Sequence, residues 1–186
     1  AYEHDGQLTK RVVRAAALAH LAPQPGDVMW DLGAGAGSVG IEFARHHPRN
    51  EVHAVERDPE RAERVRRNAR ALGVPGVRVV EAASSAAVAD LPRPDAVFVG
   101  GGATAALLDA CWAALAPGGR LVVHGVTVET ELVLHDVRRR RGGSMSRIAV
   151  EELDDIGSLH GWKPARSIVQ WSVEKPVLHE DSEFDA

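Results

Sequence analysis

Alternate glycines punctuate Asp31-Leu32-Gly33-Ala34-Gly35-Ala36-Gly37-Ser38-Val39-Gly40, which lies between an apolar strand-like run at 27–32 and a helical pattern at 39–46. A strand that turns into a helix through such a loop can bring bare backbone close to a ligand, where any Cβ would clash. The helix that follows offers free N–H groups and the positive end of its dipole to a carboxylate or phosphate. This one junction demands a sheet with helices packed on it and a small anionic or zwitterionic ligand at the carboxyl end of the strand.

The rest of the chain repeats that rhythm. Mostly apolar runs at 51–56, 77–81, 95–99 and 120–125 alternate with helical patterns at 10–21, 59–72, 103–115 and 128–140. Such alternation predicts a parallel sheet covered by helices on both faces. Thr9 is placed to cap the first helix, which Pro23 and Pro25 stop, and Pro59 and Gly73 bracket the third. After Gly142-Gly143 the order changes, because strand-like runs at 146–153 and 167–174 follow each other with only a glycine-containing turn at 155–162 between them. That predicts a closing antiparallel hairpin. At 186 residues the chain is about one domain long. We expect a single domain over 1–177 and a disordered acidic tail over 178–186. Glu180, Asp181, Glu183 and Asp185 in that tail account for the formal charge of −4, so the remainder is balanced and carries no global basic field for nucleic acid. Cys111 is the only cysteine, which excludes an intramolecular disulfide and a cysteine-built zinc site. The polar, acidic first residues and the lack of a long apolar run lead to the expectation of a soluble, cytoplasmic protein. Ala1 stands where an initiator Met is expected, so the chain is either processed or a piece of a longer protein.

Gly35-x-Gly37-x-x-Gly40, with Glu56 about twenty residues on, satisfies the dinucleotide fingerprint literally. Three features favour S-adenosylmethionine (SAM) instead. Asp31 precedes the loop, where it can meet the methionine ammonium; the Asp31–Gly37 spacing resembles methyltransferase motif I; and a closing hairpin replaces the further parallel strand usual in nicotinamide-binding sheets. Glu56 at the end of the second strand can accept bonds from both ribose hydroxyls, and Arg57 can pack on the adenine face. Leu115-Ala116-Pro117-Gly118-Gly119-Arg120-Leu121-Val122-Val123 resembles the segment entering the fifth strand of SAM methyltransferases. Gly100-Gly101-Gly102 after the fourth strand is a flexible connector or a place where backbone passes close to substrate. The expected fold is therefore α/β, a Rossmann-like class I SAM-dependent methyltransferase with a mostly parallel seven-stranded sheet and a C-terminal antiparallel hairpin.

Several segments together resemble the precorrin-6B C15-methyltransferase (decarboxylating) family of cobalamin biosynthesis, in particular the C-terminal part of its fused bacterial form. They are Gly6-Gln7-Leu8-Thr9-Lys10-Arg11-Val12-Val13-Arg14, Trp30-Asp31-Leu32-Gly33, Ala96-Val97-Phe98-Val99-Gly100-Gly101, and Gly161-Trp162-Lys163-Pro164-Ala165-Arg166 through Val169-Gln170-Trp171. The resemblance implies transfer of a methyl group from SAM to a meso carbon of a contracting tetrapyrrole and loss of carbon dioxide from a ring acetate. It also implies a homotetramer and a fused or separate methyltransferase acting at carbon 5. Carried over by motif, Thr9 reaches the cofactor, Gly33, Gly35 and Gly37 cradle its methionine portion, and Glu56 holds the ribose. Where the family commonly has Gly-Asp-Ala after the third strand, this chain has Ala82-Ala83-Ser84, so only the Ala83 backbone or the Ser84 hydroxyl remains for the adenine side.

Methyl transfer from a sulfonium needs positioning and exclusion of water more than a strong base. This agrees with the absence of a recognisable triad or metal-ligand pattern. His46-His47 reads as solvated; His124, at the end of the fifth strand, is either core or a proton carrier facing substrate, and with Gly101 it is the catalytic candidate. The Arg138-Arg139-Arg140-Arg141 run is either a helix end complementing the dipole or an anion site. Arg141, Arg147 and Arg166, with Gly101 and Gly102, are the candidate contacts for a polycarboxylate substrate. Two rivals stay open: an RNA methyltransferase of the same fold that uses the arginine run on phosphates, and a non-catalytic SAM-binding partner subunit.

Overall fold

The computed structural model describes residues 1–6 and 8–177; the acidic tail expected over 178–186 lies outside them. Nine strands and six helices follow in the order α1 (Arg11–Leu21), β1 (Val28–Leu32), α2 (Ser38–His46), β2 (Glu51–Glu56), α3 (Pro59–Ala71), β3 (Arg78–Glu81), α4 (Ser84–Ala87), β4 (Ala96–Val99), α5 (Ala105–Ala114), β5 (Arg120–Gly125), α6 (Val128–Arg141), β6 (Ser144–Ile148), β7 (Glu151–Ile156), β8 (Leu159–Pro164) and β9 (Ile168–Glu174). Seven strands form one sheet in the order β3-β2-β1-β4-β5-β9-β6. The first five are parallel, and β9 is antiparallel to both β5 and β6.

Strand periodicity divides the core in two. Trp30, Leu32, Val97, Val99, Leu121 and Val123 face Leu108, Cys111, Leu115 and Leu134 of the α5 and α6 layer. Their neighbours Met29, Ala96, Phe98 and Val122 face Ala17, Leu21 and Phe43 of the α1 and α2 layer. Trp30 and Trp171 are fully buried, and each indole N–H finds an acceptor, the Pro92 carbonyl at 2.9 Å and the Gly142 carbonyl at 3.0 Å. Burial of such a ring contributes roughly 1.5–3 kcal/mol only while its polar edge is satisfied. No helix among the described residues is long and apolar enough to cross a membrane.

Two sequence expectations are corrected. Thr9 does not cap α1, because the helix begins one residue later than expected, at Arg11, and its Lys10 cap position makes no side-chain bond. The helix buries Val13, Ala17 and Leu21 and leaves Val12 in solvent. The closing hairpin, in turn, is β6 and β9, and 149–167 is not a turn. It contains a separate two-stranded ribbon, β7 paired with β8, in which Ile156 faces Leu159 across Gly157 at φ +62°. The alternation in 159–164 is strand-like, but glycines in the segment mask it. Because β9 enters the sheet at Ile168, opposite the carboxyl end of β5, the ribbon projects from the same end of the sheet as the glycine loop. It leaves Leu153, Ile156, Leu159 and Trp162 exposed.

Strand order reverses between β1 and β4. The chain leaving β1 passes to α2 and the chain leaving β4 passes to α5 on the opposite face, so their loops diverge and open a crevice at the carboxyl ends of the strands.

Candidate functional site

The crevice holds a cavity of about 570 Å³, within the range of ~300–1,000 Å³ usual for small-molecule sites. Its floor is backbone. The N–H groups of Gly33 and Ala34 donate to the Val55 carbonyl at 2.9 and 3.1 Å, which ties the glycine loop to the end of β2. The Gly35 N–H donates to Glu56 Oε2 at 2.9 Å, and Asp58 N–H donates to the other carboxylate oxygen at 3.0 Å. A carboxylate has about four lone-pair sites, so Glu56 can brace the loop and still accept hydroxyl donors from a ligand. On the far side the loop after β4 presses against the first: a Cβ at Gly100 would come within 3.1 Å of the Gly33 carbonyl oxygen. Beyond the loop, Ser38 and Val39 line the cavity, and their N–H groups make no backbone hydrogen bond among the described residues. A buried carboxylate, free helix N-terminal donors and an uncovered glycine backbone fit the ribose and the carboxylate of SAM.

Thr9, Gly33, Gly35, Glu56, Arg57, Ala83, Ser84, Gly101, Gly102 and His124 all line this cavity. Gly37 does not. With φ +74° it takes the left-handed turn into α2, and a Cβ there would lie 2.7 Å from Val65 Cγ1, so this glycine packs α2 against α3. Asp31 is also displaced from its expected place. It is 1% exposed and lies beneath the loop, where Oδ2 accepts the Gly40 N–H at 2.9 Å, while Oδ1 has no hydrogen-bond partner among the described residues. Burial pushes its carboxyl up to about 7; the Gly40 bond opposes that rise, and the nearby Glu56 charge adds to it.

The arginines divide as well. Because α6 leaves the carboxyl end of β5 and runs back along the sheet, its last turn lies toward the amino ends of the strands, away from the cavity. There Arg140 and Arg141 pair with Asp109 at 3.0 and 3.3 Å, and the Arg141 guanidinium sits 5.0 Å from the Trp112 ring centroid. Arg141 is thus tied to α5 and is not placed as a substrate contact, and neither it nor Arg140 is free for phosphates. Arg147 donates to both oxygens of Glu131, at 2.7 and 2.9 Å, and does not line the cavity. Arg166 also stays off the wall, but it is exposed two residues before the lining Ile168.

Arg61, Ser85, Phe98, Thr104, Leu107, Val126 and Ile168 also line the wall, and sequence reasoning did not single them out. Thr104 carried a readable signal, as the cap of α5 whose hydroxyl accepts from Leu107 N–H at 3.2 Å. The others owe their place to the meeting of loops remote in sequence. His124 is 5% exposed, lies edge-on to Phe98 with ring centroids 4.9 Å apart, and has Nε2 2.8 Å from Gln170 Oε1. Burial lowers its pKa, the contact with Gln170 opposing, so the imidazole is neutral near pH 7. Cys111 is buried and its thiol is pushed up to about 12 by desolvation, which rules it out as a nucleophile.

Residues 1–175 match the family model described as a precorrin methyltransferase domain. The chain is 49% identical over 175 residues to a precorrin-6Y C(5,15)-methyltransferase [decarboxylating] of Sinorhizobium sp, a match covering 94% of this chain and 42% of that protein. It is 36% identical over 177 residues to a cobalt-precorrin-6B C(15)-methyltransferase (decarboxylating) of Salmonella typhi, covering 92% of this chain and 91% of the relative. Among solved structures, the C-terminal domain of precorrin-6Y C5,15-methyltransferase from Rhodobacter capsulatus superposes with a TM-score of 0.87 at 40% identity over 94% of each chain. The chain thus spans less than half the length of the Sinorhizobium relative and nearly all of the other two.

Proposed function

Since the chain belongs to the precorrin methyltransferase domain family, we propose that it transfers a methyl group from SAM to carbon 15 of a precorrin-6B-type tetrapyrrole and removes carbon dioxide from the acetate at carbon 12. The observation that carries this reading is the cavity at the sheet's switch point, where the Gly33–Gly35 backbone, the Ser38 and Val39 N–H groups and the Glu56 carboxylate converge. SAM would supply an electrophilic methyl on a sulfonium whose sulfur leaves as a neutral thioether. Glu56 would hold the ribose hydroxyls, and the start of α2 the methionine carboxylate. Arg57 and the Ala83 and Ser84 edge would flank the adenine. Gly101 and Gly102, lacking side chains, would let a flat ring approach the methyl, with Phe98, Val126 and Ile168 excluding water from the gap. Of the three arginines, Arg166 is the one exposed beside the cavity, where it can meet a ring carboxylate.

The proposal includes a fused or separate partner acting at carbon 5, in keeping with the greater length of the Sinorhizobium relative. It also includes a homotetramer, supported by the exposed apolar side chains of the β7–β8 ribbon. Incubation of the chain with SAM and precorrin-6B, followed by mass spectrometry, tests the activity. Gain of one methyl together with loss of carbon dioxide is the expected product. Binding of SAM with neither change would overturn the activity for this chain alone, leaving a SAM-binding partner role.

A further inference from the structure

We propose that Gln170 is a positioning residue for His124: its amide oxygen holds the imidazole proton on Nε2 and leaves the Nδ1 lone pair as the proton acceptor of the cavity. The Gln170 amide oxygen lies 2.8 Å from His124 Nε2, and because an amide oxygen only accepts, this contact is a hydrogen bond when Nε2 carries the hydrogen. A neutral imidazole carries one such hydrogen, and Nδ1 is then unprotonated. No hydrogen-bond partner of Nδ1 is present among the described residues, and His124 forms part of the cavity wall.

The support behind the pair is rigid. His124 and Gln170 face each other directly in the β5–β9 register, and Ser146 of β6 flanks Gln170 on its other side. Gln170 is 2% exposed, and the edge of the His124 ring is fixed against Phe98. Three charged groups on the neighbouring elements are paired elsewhere. Lys10, ahead of α1, pairs with Glu152, Arg14 of α1 with Glu42, and Arg147 of β6 with Glu131. His20, at the far end of α1, contacts Ser172. Burial and Gln170 are the causes of the shift in His124, and no charged side chain contributes to it.

Resting on the methyltransferase reading, this arrangement accounts for one proton that the reaction must move. The carbon that gains the methyl gives up its hydrogen to restore conjugation. The acetate CH2 loses carbon dioxide, keeps the electron pair of the broken bond and needs one proton to become a methyl group. The two demands balance. Nδ1 of neutral His124 takes the proton from the methylated carbon, becomes part of an imidazolium, and returns the same proton to the acetate-derived carbon, so no outside acid or oxidant is consumed.

The test reads the tautomer by itself. In the full chain labelled with 15N-histidine and saturated with SAM, long-range proton–nitrogen correlation at pH 7 should show His124 with Nε2 protonated and Nδ1 bare. A proton on Nδ1, or a charged ring at that pH, would overturn the proposal whether or not the chain turns over a tetrapyrrole. Gln170→Leu should mix the tautomers and lower kcat by roughly 10–100-fold with the affinity for SAM unchanged. Gln170→Glu, which places a carboxylate on Nε2, should raise the His124 pKa by ~1–3 units and carry the acid limb of the kcat profile with it. A Gln170→Leu variant that keeps the wild-type tautomer, or loses it with full kcat, would refute the role of Gln170. If wild type shows the expected tautomer and neither methylates nor decarboxylates precorrin-6B, the methyltransferase reading fails and the Gln170 assignment stands.

Discussion

Replacing Asp31 by Asn should make the protein more stable, and increasingly so as pH rises. The carboxyl goes from an ordinary 3.8 in the unfolded chain to about 7 in the fold, chiefly because it is buried at 1% exposure. Between those values the folded state holds a proton that the unfolded state has released, so stability falls as pH rises through this window and levels off above 7. Each unit is worth about 1.4 kcal/mol, so the interval from pH 5 to 7 alone amounts to about 3 kcal/mol. Asn is nearly isosteric, does not titrate, and keeps an oxygen to accept the Gly40 N–H. Urea unfolding of both proteins at pH 5 and pH 8 measures the effect as a difference of differences, which removes any constant cost of the amide. Wild type should lose about 2–4 kcal/mol relative to Asp31→Asn over that range, with unchanged m values. Parallel pH dependences would refute the reasoning, since they would mean that the buried charge carries no penalty. Glu56→Gln supplies a second check: the Glu56 charge raises the Asp31 pKa, so removing it should shrink the pH effect. The affinity of Asp31→Asn for SAM should stay near wild type, because Asp31 lies beneath the loop and not on the cavity wall.

Glu56→Gln should itself weaken SAM binding roughly 10–100-fold by calorimetry, the loss of a charged hydrogen-bonding partner being worth ~1.5–3 kcal/mol. Gly37→Ala should cost about 2–4 kcal/mol in urea unfolding, from a left-handed φ of +74° and a Cβ 2.7 Å from Val65. Arg166→Gln should raise KM for the tetrapyrrole, whereas Arg141→Gln should leave kinetics unchanged and cost about 1 kcal/mol of stability through its contacts with Asp109 and Trp112. Trp162→Glu, on the exposed ribbon face opposite Leu153, should shift the mass measured by light scattering toward the monomer.

The elements that a residue pattern can specify locally were legible. Five β-α units, the glycine junction and Glu56 at the end of β2 all depend on features within a few neighbouring residues: period-two apolar runs, a proline at a helix start, and glycine where φ must be positive. The ribbon was not legible, because Gly157 joins its short strands, Gly161 lies within the second, and its apolar residues find no core that would make the alternation distinct. Thr9 divides: its place at the cavity was implied by the family motif, whereas its capping pattern, genuine in sequence, loses to a helix start one residue later.

Sequence alone thus determined the layered α/β fold, the end of the sheet that carries the site and the backbone floor of that site, since helix and strand periods and glycine's freedom act over a handful of bonds. Tertiary structure decided which side chains do what. Only the folded chain buries Asp31 behind its own loop, pairs Arg141 with Asp109 32 residues away, and sets Gln170 against His124 across 46 residues. A side chain's partner and its pKa depend on what distant segments bring beside it and how much water they remove, and nothing local in the chain encodes that.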